Sequence, residues 1–338
     1  MSEIMKVSFW GVRGSIAAPM TSADIAEQVR DYARNNWRGS FRGSEEDALQ
    51  AIKDTLWTHG GNTSCVMIEA AGERIILDMG TGIRPLGNSL MGPMFQNRGI
   101  SATFLISHVH WDHIQGLPFF GPLYMNKHDG ILNSFAFHGG TEYRTRLDDC
   151  LRGQMDSPNF PVSFREIEAQ THKMDVAHLH DGIDFAVGET KLFGAKDPRR
   201  ISVTCRKLDH PQEVYGFRIE YDGKVIAFTT DHEPRLPDAP YQNLLRLVKD
   251  ADLWITDCQY SDHQYRGNPA PQRFGWGHAY PQAIGLTARL AGVKRVVTFH
   301  HDPSNDFSAI EQIARDVEVR WGSEGLVVAA YEGMALEV

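Results

Sequence analysis

Side chains of metal-ligand type cluster in one short segment of the sequence. Residues 108–113 read His-Val-His-Trp-Asp-His, which places four such side chains within six residues. In an extended chain the side chains of residues i and i+2 point the same way, so His108 and His110 could bind one ion. The turn that follows could direct Asp112 and His113 toward a second ion. Imidazoles packed this closely without a cation would repel one another on protonation, so the segment predicts a metal site.

Three further ligand-type residues stand just beyond predicted strands. They are His210, Asp231 and His300, which follow the strand patterns 201–208, 225–228 and 295–299. In layered α/β folds the loops at one edge of the sheets carry the functional residues on a rigid scaffold. We therefore expect these three side chains to converge with the segment 108–113.

The strands that must position these residues are indicated by short runs of β-branched and aromatic residues bounded by glycine. The apolar run 102–107 shows no alternation, which predicts a strand buried on both faces that stops at the histidine cluster. Asp222-Gly223 divides 215–229 into a hairpin. Further strands are predicted at 6–10, 65–70, 74–78, 134–138, 184–193, 201–206, 252–256 and 295–299.

Helical patterns are predicted at 241–249, 281–291 and 308–317, the second with proline in its first turn and Gly292 beyond its end. Buried-type strands alternate with these helices while hairpins persist. This arrangement predicts an α/β fold of two mixed β-sheets packed face to face with helices on the outer faces. We see no linker that would divide residues 1–338 into separate domains.

Two segments stand outside this framework. Residues 20–57 carry helical spacing between the first two strands, which predicts an inserted helical pair. A packed surface element is the favoured interpretation of this pair, and a lid or homodimer contact is the alternative. Residues 122–173 are the predicted specificity region. Phosphate contacts are one interpretation of its Arg144, Arg146 and Arg152, although arginines at this spacing more often form a solvated face.

The composition limits the class of partner. The chain of 338 residues has 34 Lys and Arg against 43 Asp and Glu, a formal net charge of −9, which disfavours a large phosphate-binding surface. No apolar run approaches the ~20 residues of a membrane helix, so we expect a cytoplasmic protein without a membrane partner. The four cysteines are too far apart to form a paired motif and are expected to be reduced.

The sequence resembles the metallo-β-lactamase-fold hydrolases, in the branch that contains ribonuclease Z and small cyclic-phosphate phosphodiesterases. The resemblance rests on 108–113, on His210 before Tyr-Gly-Phe-Arg-Ile-Glu, on Asp231 and on Phe-His-His-Asp-Pro at 299–303. The segments Phe-Trp-Gly-Val-Arg-Gly-Ser (9–15) and Gly-Gly-Asn-Thr-Ser-Cys (60–65) look like a poorly characterised subgroup of that branch. The resemblance implies a four-layer αβ/βα sandwich.

The same resemblance implies two divalent metal ions and a ligand set for each. One ion would be held by His108, His110 and His210. The other would be held by Asp112, His113 and His300, with Asp231 bridging the two ions. His301 competes with its neighbour His300, but the family pattern places the ligand three residues before the proline. Nitrogen and oxygen donors favour Zn²⁺, with Mn²⁺ or iron as alternatives.

A catalytic pair is also implied. His278, in Gly-Trp-Gly-His before the helix 281–291, matches the catalytic histidine of ribonuclease Z, and a role in capping or packing at the helix start is the alternative. Asp257 matches its acidic partner, where the family has the longer glutamate. His278 would act as proton donor, and Asp112 would help accept the proton of the attacking water.

The implied reaction is cleavage of a phosphodiester by a hydroxide that bridges the two metals. We find no glycine- and proline-rich basic arm such as ribonuclease Z uses to hold transfer RNA, so a small or cyclic nucleotide-type substrate is favoured and nucleic acid disfavoured. A lactonase or ester hydrolase and an RNA-processing nuclease of the ribonuclease Z type are the alternatives. A di-iron reductase is less favoured because its pattern has glutamate where this chain has His110, and a non-catalytic binding protein because the ligand set is intact.

Three residues in or near glycine-rich turns complete the candidates. Arg13 and Asn62 could approach a ligand, but a structural turn held by side-chain hydrogen bonds is the favoured interpretation. Asp78 follows a predicted strand near the expected site. We expect it to orient a metal-binding histidine.

Overall fold

The structure, a computed structural model, describes residues 4–36, 58–142, 146–187, 200–235, 238–268 and 271–338. Its strands are β1 (Lys6–Gly11), β2 (Cys65–Ala70), β3 (Glu73–Leu77), β4 (Ser101–Leu105), β5 (Ser134–Gly139), β6 (Lys173–His178), β7 (Asp184–Ala186), β8 (Ser202–Lys207), β9 (Tyr215–Tyr221), β10 (Lys224–Thr229), β11 (Leu253–Asp257), β12 (Val296–Phe299), β13 (Val327–Ala329) and β14 (Ala335–Glu337). Its α-helices are α1 (Ser22–Asn36), α2 (Ile83–Asn97), α3 (Trp111–Ile114), α4 (Leu147–Met155), α5 (Phe164–Gln170), α6 (Ala239–Val248), α7 (Asp262–Arg266), α8 (Pro281–Ala291) and α9 (Phe307–Trp321).

The described strands form two seven-stranded mixed sheets. The first has the order β14-β1-β2-β3-β4-β5-β6 and the second the order β13-β12-β11-β10-β9-β8-β7. In the first sheet β3 to β6 run parallel and the rest pair antiparallel. In the second sheet β10 to β13 run parallel, and β7 to β10 pair antiparallel. The prediction of two mixed sheets is confirmed.

Three apolar cores divide the molecule into four layers. The core between the sheets contains residues from both, such as Phe9, Leu105 and Phe217. A second core packs α2, α4 and α5 against the outer face of the first sheet, and a third packs α6, α8 and α9 against the second sheet. Neighbouring residues of β4 point into different cores: Phe104 faces the helices and Leu105 the other sheet. This explains why the run 102–107 is apolar without alternation.

The turn chemistry follows the sequence closely. Asp222 and Gly223 both have positive φ, 46° and 77°, as the tight hairpin between β9 and β10 requires. The predicted helix 281–291 corresponds to α8, and Gly292 ends it in the left-handed conformation, with its amide hydrogen-bonded to the Ala288 carbonyl. The four cysteines, all within the described residues, form no disulfide with one another, and three of them are buried.

Three predicted segments differ from the structure or lie partly outside the described residues. The inserted helical pair is represented by α1, and its second helix lies outside the described residues. The predicted specificity region 122–173 is in part scaffold, because it contributes β5 between β4 and β6 and packs α4 and α5 into the core. The predicted strand 184–193 is described as β7, and residues 188–199 lie outside the described part. No described helix combines the length and apolar character needed to cross a membrane.

Candidate metal centre and active site

The seven predicted metal ligands lie together at one edge of the sandwich, beyond the ends of β4, β8, β10 and β12. One group offers ligand atoms that all lie within 4.8 Å of one another, from His108, His110, His210 and Asp231. In a second group, the ligand atoms of Asp112, His113 and His300 also lie within 4.8 Å of one another. The structure thus brings the predicted ligands close together, and a third group of the same spacing contains Asp231, Asp257, His278 and His300.

The Asp231 carboxylate lies between the two sets. Its Oδ2 atom is 3.6 Å from Nε2 of His108. Its Oδ1 atom is 3.3 Å from Nε2 of His113 and 3.2 Å from Nε2 of His300. One carboxylate with an oxygen on each side is the geometry expected of a ligand shared by two cations.

Three candidate ligand histidines, His113, His300 and His210, are each hydrogen-bonded through Nδ1. Their Nε2 atoms therefore point into the site. Nδ1 of His113 lies 2.8 Å from Asp78 Oδ2, and Nδ1 of His300 lies 2.9 Å from Gln259 Oε1. Nδ1 of His210 lies 3.1 Å from the Gly277 carbonyl. Because an acceptor faces each Nδ1, a hydrogen resides there and each Nε2 faces the centre, where it can bind a cation when it carries no proton.

His108 provides the test of whether a metal ion fits. Its Nε2 atom is buried and has no hydrogen-bond partner among the described residues. Its Nδ1 lies 3.1 Å from the Ser107 hydroxyl, which donates to Asp78. A buried polar atom without a partner is costly unless a ligand satisfies it. The surrounding nitrogen and oxygen donors, with no thiolate, fit a divalent cation such as Zn²⁺.

His110 differs from His113, His210 and His300 because its Nδ1, and not its Nε2, faces a neighbouring residue of its ligand set. Its Nδ1 lies 3.5 Å from Nε2 of His210, and its side chain is hydrogen-bonded to Gln212. Gln212 also lines the cavity above the site. No sequence pattern indicated Gln212, which lies two positions after His210 in an irregular segment.

Burial and mutual charge set the protonation states needed for metal binding. Burial lowers the pKa of His210 to about 4 and holds the pKa of His108 well below its usual range. Burial alone would raise the pKa of Asp231, but the neighbouring His300 and His113 hold it well below its usual range. Neutral imidazoles and ionised carboxylates are the forms that bind cations.

His113 differs from the other histidines because carboxylates surround it. Burial opposes a charge on its ring, yet Asp112, Asp231 and Asp78 together raise its pKa well above the usual range. The site therefore attracts positive charge to this position, where a cation would take the place of the proton.

The backbone is strained at the site. Asp231, His300 and Asp78 have φ values of 47°, 55° and 60°, in the left-handed region that non-glycine residues rarely adopt. Each such residue costs on the order of 1–3 kcal/mol and persists only where its surroundings fix it. Two glycines allow close approach: a Cβ on Gly14 would lie 2.4 Å from His300 Nδ1, and one on Gly277 would lie 2.1 Å from His210 Nδ1.

The predicted catalytic pair lies beside the bridging carboxylate. Nδ1 of His278 is 2.9 Å from Oδ2 of Asp257 and 4.0 Å from Oδ2 of Asp231. The aspartate therefore reaches the histidine despite its shorter side chain. Burial lowers the pKa of His278, but the Asp257 carboxylate outweighs it and raises the pKa to about 9. His278 lines the cavity above the metal ligands.

The N-terminal turn supports the site through its backbone. The Ser15 amide donates to Oδ2 of Asp112 at 2.7 Å, a contact that the sequence did not indicate. The buried Arg13 side chain donates to the carbonyls of Gly60, Asp302 and Asn305, which makes it a structural residue. Asn62 Nδ2 donates to Glu332 at 2.9 Å, again a structural contact.

The remaining candidates lie away from the ligands. Nε2 of His301 contacts the Ala330 carbonyl at 3.0 Å, and His301 belongs to neither ligand set. Arg146 pairs with Asp148, and Arg152 pairs with Glu168. Neither arginine lines the cavity, and Arg144 lies outside the described residues.

A cavity of about 600 Å³ opens over both ligand sets. Its lining residues are Ser15, Val109, His110, Trp111, Asp112, His210, Pro211, Gln212, Asp231, Trp276, His278 and His300. Five of the predicted metal ligands and His278 therefore line one open space, whereas Asp257 is fully buried behind His278.

Comparison with known protein families gives a match over most of the chain. Residues 73–301 match the family model described as the β-lactamase superfamily domain. The chain belongs to the β-lactamase superfamily. The matched range includes every predicted metal ligand and the pair Asp257 and His278.

Relatives of this superfamily member include ribonucleases. Ribonuclease BN of Proteus mirabilis (strain HI4320) is 26% identical over 203 residues, which cover 58% of this chain and 58% of that protein. Ribonuclease Z of Sulfurisphaera tokodaii is 25% identical over 223 residues, which cover 60% of this chain and 70% of that protein. The first of these matches covers less than two thirds of the relative's length.

Solved structures of the superfamily show the same fold. The metallo-β-lactamase fold protein YhfI from Bacillus subtilis has a TM-score of 0.61 at 14% identity, with 99% of this chain and 100% of that chain covered. A diphosphatase from the PhnP family has a TM-score of 0.59 at 16% identity, with 99% and 98% covered. The predicted family and the predicted four-layer fold are confirmed.

Proposed function

We propose that the protein is a dinuclear-metal hydrolase that cleaves a phosphodiester bond in a small or cyclic nucleotide-type substrate. The observation that carries the proposal is the position of His278, paired with Asp257 and 4.0 Å from the carboxylate shared by the two ligand sets. A protonated imidazole next to a metal centre is suited to a reaction in which a leaving oxygen must be protonated.

The metal ions would be held by the two ligand sets described above, with Asp231 between them. Two bound divalent cations supply an ionised water near neutral pH and neutralise charge that develops on a phosphoryl group. Asp112 lies in one ligand set. Its carboxylate accepts a hydrogen bond from the Ser15 amide, which fixes its orientation. Asp112 can help accept the proton of the attacking water.

His278 would protonate the departing oxygen. Its Nδ1 hydrogen is committed to Asp257, so Nε2 is the atom that donates. The raised pKa of about 9 keeps this ring protonated at neutral pH in the metal-free protein. Asp257 is itself fixed by the amides of Gln259 and Ala279, at 2.8 and 3.3 Å. The pair is therefore oriented before substrate arrives.

The cavity favours a small substrate. Its described lining contains neither lysine nor arginine, and the whole chain carries a formal net charge of −9. A long polyanion such as RNA binds chiefly through cationic side chains, so the proposed substrate contacts are those of a single phosphodiester. Processing of precursor RNA is the second candidate, because relatives of this chain are named ribonuclease BN and ribonuclease Z.

The test is a substrate screen with the zinc- or manganese-loaded protein. We expect turnover of bis(p-nitrophenyl) phosphate and of at least one cyclic nucleotide, and little cleavage of precursor transfer RNA. His278→Ala should lower kcat on the phosphodiester by roughly 10²–10⁴-fold with metal content unchanged. His263→Ala, at an exposed position of α7, is the matched control and should leave kcat unaltered. Turnover of a lactone alone would overturn the proposal.

A further inference from the structure

Two tryptophans line the metal cavity while keeping most of their surface in solvent. Trp111 is 78% exposed and Trp276 is 55% exposed. Among the tryptophans in the described ranges these are the exposed ones, since Trp254 is buried and Trp10 and Trp321 are half-buried. Large apolar side chains left in water at a cavity mouth usually mark a binding surface.

Trp111 is fixed by the metal ligands on either side of it. It stands between His110 and Asp112 and begins the short helix α3. Asp112 and His113 are buried in the ligand set, while the Trp111 side chain faces the open cavity. The Gln115 amide donates to the Trp111 carbonyl at 2.7 Å. The indole is therefore attached to a backbone that the contacts of the neighbouring Asp112 with Ser15 and His300 hold in place.

Trp276 is fixed by a different device. It lies between Gly275 and Gly277, whose φ values are 81° and 83°. The amides of both glycines donate to Oε2 of the fully buried Glu233, at 2.9 and 3.1 Å. Glu233 stands two residues after Asp231, so the turn that carries Trp276 is tied to the segment that carries the shared carboxylate. A platform ordered in advance loses little entropy on binding a ligand.

The neighbours of Trp276 add support to its ring. The guanidinium carbon of Arg273 lies 5.7 Å from the Trp276 ring centroid and 4.5 Å from that of Tyr260. Asp302 holds the same guanidinium through a contact of 2.9 Å with Nη1. Cation–π contacts of this kind restrict the indole without covering the part that faces solvent.

We infer that Trp111 and Trp276 form an aromatic subsite that stacks the nucleobase of a nucleotide phosphodiester, an inference that rests on the proposed function and names its substrate class. Apart from the ligands and His278, the described lining consists of Ser15, Val109, Pro211, Gln212 and the two indoles. The indoles are its largest apolar surfaces. Stacking uses the face of a base and not its edge, so the subsite accepts purines and pyrimidines alike.

The first test measures binding alone. The zinc-loaded protein is titrated with AMP and with ribose 5-phosphate, which share a phosphate and a ribose but differ in the base. We expect AMP to bind about tenfold more tightly, and Trp111→Ala and Trp276→Ala each to weaken AMP binding roughly 5- to 100-fold. Binding of ribose 5-phosphate should change by no more than about twofold. Phenylalanine at either position should restore most of the affinity for AMP.

A matched control and two outcomes complete this test. Phe95 on α2 is 55% exposed and does not line the cavity, so Phe95→Ala should leave both affinities unchanged. Equal affinity of the wild-type protein for AMP and ribose 5-phosphate would overturn the subsite. If the tryptophan variants weakened the binding of AMP and of ribose 5-phosphate equally, the subsite would also be overturned. Such a result would indicate a general loss of structure, which affects ligands with and without a base alike.

A kinetic test separates the subsite from the proposed reaction. Cyclic AMP and the cyclic phosphate of methyl riboside present the same reacting bond with and without a base. We expect the tryptophan variants to raise KM for cyclic AMP with kcat nearly constant, and to spare the other substrate. If neither compound is hydrolysed while the AMP preference persists, the proposed function fails and the subsite stands. If both are hydrolysed and the variants affect them equally, hydrolysis stands and the subsite fails.

Discussion

Nε2 of His113 and Nε2 of His300 lie 3.2 Å apart in the buried centre of the molecule. Both rings have an acceptor at Nδ1, Asp78 Oδ2 for His113 and Gln259 Oε1 for His300. With hydrogen on each Nδ1, the two Nε2 atoms face each other, and the carboxylates that raise the pKa of His113 favour a proton between them, whose place a metal cation would take. The relationship between these two atoms is the local reason for expecting metal at this edge of the sandwich.

The contact between Gln259 and His300 gives the first prediction. Gln259→Ala removes the acceptor that fixes the tautomer and orientation of His300, so zinc affinity should fall roughly 10- to 100-fold. Isothermal titration of the metal-free protein measures the change. Gln312→Ala, at an exposed position of α9, is the control and should bind zinc like the wild type. Unchanged affinity in Gln259→Ala would mean that His300 is not a ligand or does not need this support.

Glu233 gives the second prediction, which concerns the loop that carries His278. Its carboxylate accepts from the amides of Gly275 and Gly277 and from the Tyr265 hydroxyl at 2.6 Å. Glu233→Ala leaves these donors without an acceptor, which should cost about 1–3 kcal/mol in the free energy of unfolding. Misplacement of His278 should also lower kcat.

Thermal unfolding and kinetics of the metal-loaded enzyme measure both effects of this change. Glu324→Ala removes an exposed carboxylate on the surface and should change neither quantity. A stable, fully active Glu233→Ala protein would show that the loop does not depend on the carboxylate.

The third prediction concerns stability in acid. Burial lowers the pKa of His138 to about 4, and its ring stacks on Phe185 with 4.6 Å between centroids. The unfolded chain therefore takes up a proton at this histidine near pH 6.5, before the folded protein does. Stability that is present above this pH is lost as the pH falls toward 4, by an amount on the order of 2 kcal/mol.

His138→Phe keeps the stacked ring and removes the titrating group. Its stability should fall less than that of the wild type between these two pH values, while the two proteins should change in parallel above pH 7. Denaturant unfolding at a series of pH values is the measurement. Parallel loss of stability in both proteins at acid pH would contradict the assignment to His138.

Much of the candidate site could be predicted because the candidate ligands follow strong local patterns. The segment 108–113 follows a strand whose burial on both faces was visible as an apolar run, and Asp231 and His300 stand just beyond similar strands. Pro281 and Gly292 marked the ends of α8 because proline suits a first helical turn and glycine a left-handed cap. These features could be predicted because neighbouring residues in the sequence determine where a strand or helix ends.

The features that were missed depend on tertiary contacts. Helix α2 contains Gly87, Gly92 and Pro93, which disfavour a helix, yet its Leu86, Leu90 and Met94 form a buried stripe at intervals of four. Tertiary packing outweighs the weak propensity, and the stripe was the available signal. Strand β14 was missed because it pairs with β1 from the opposite end of the chain.

The second layer of the site is non-local as well. Gln259 lies 41 residues before His300 in the sequence, and no pattern around either residue indicates the contact. The same holds for the Ser15 amide and Asp112, which are 97 residues apart. Ligands can be predicted from motifs, whereas their supports are determined by how distant loops meet.

The proposed phosphodiesterase activity requires two divalent ions, which the two ligand sets that share Asp231 would hold. The most direct measurement is hydrolysis of bis(p-nitrophenyl) phosphate during titration of the metal-free protein with zinc, with bound metal determined in parallel. We predict that activity rises until two ions are bound per chain, and that Asp231→Ala abolishes this rise. Full activity without metal, or two bound ions without any hydrolysis, would contradict the proposed function.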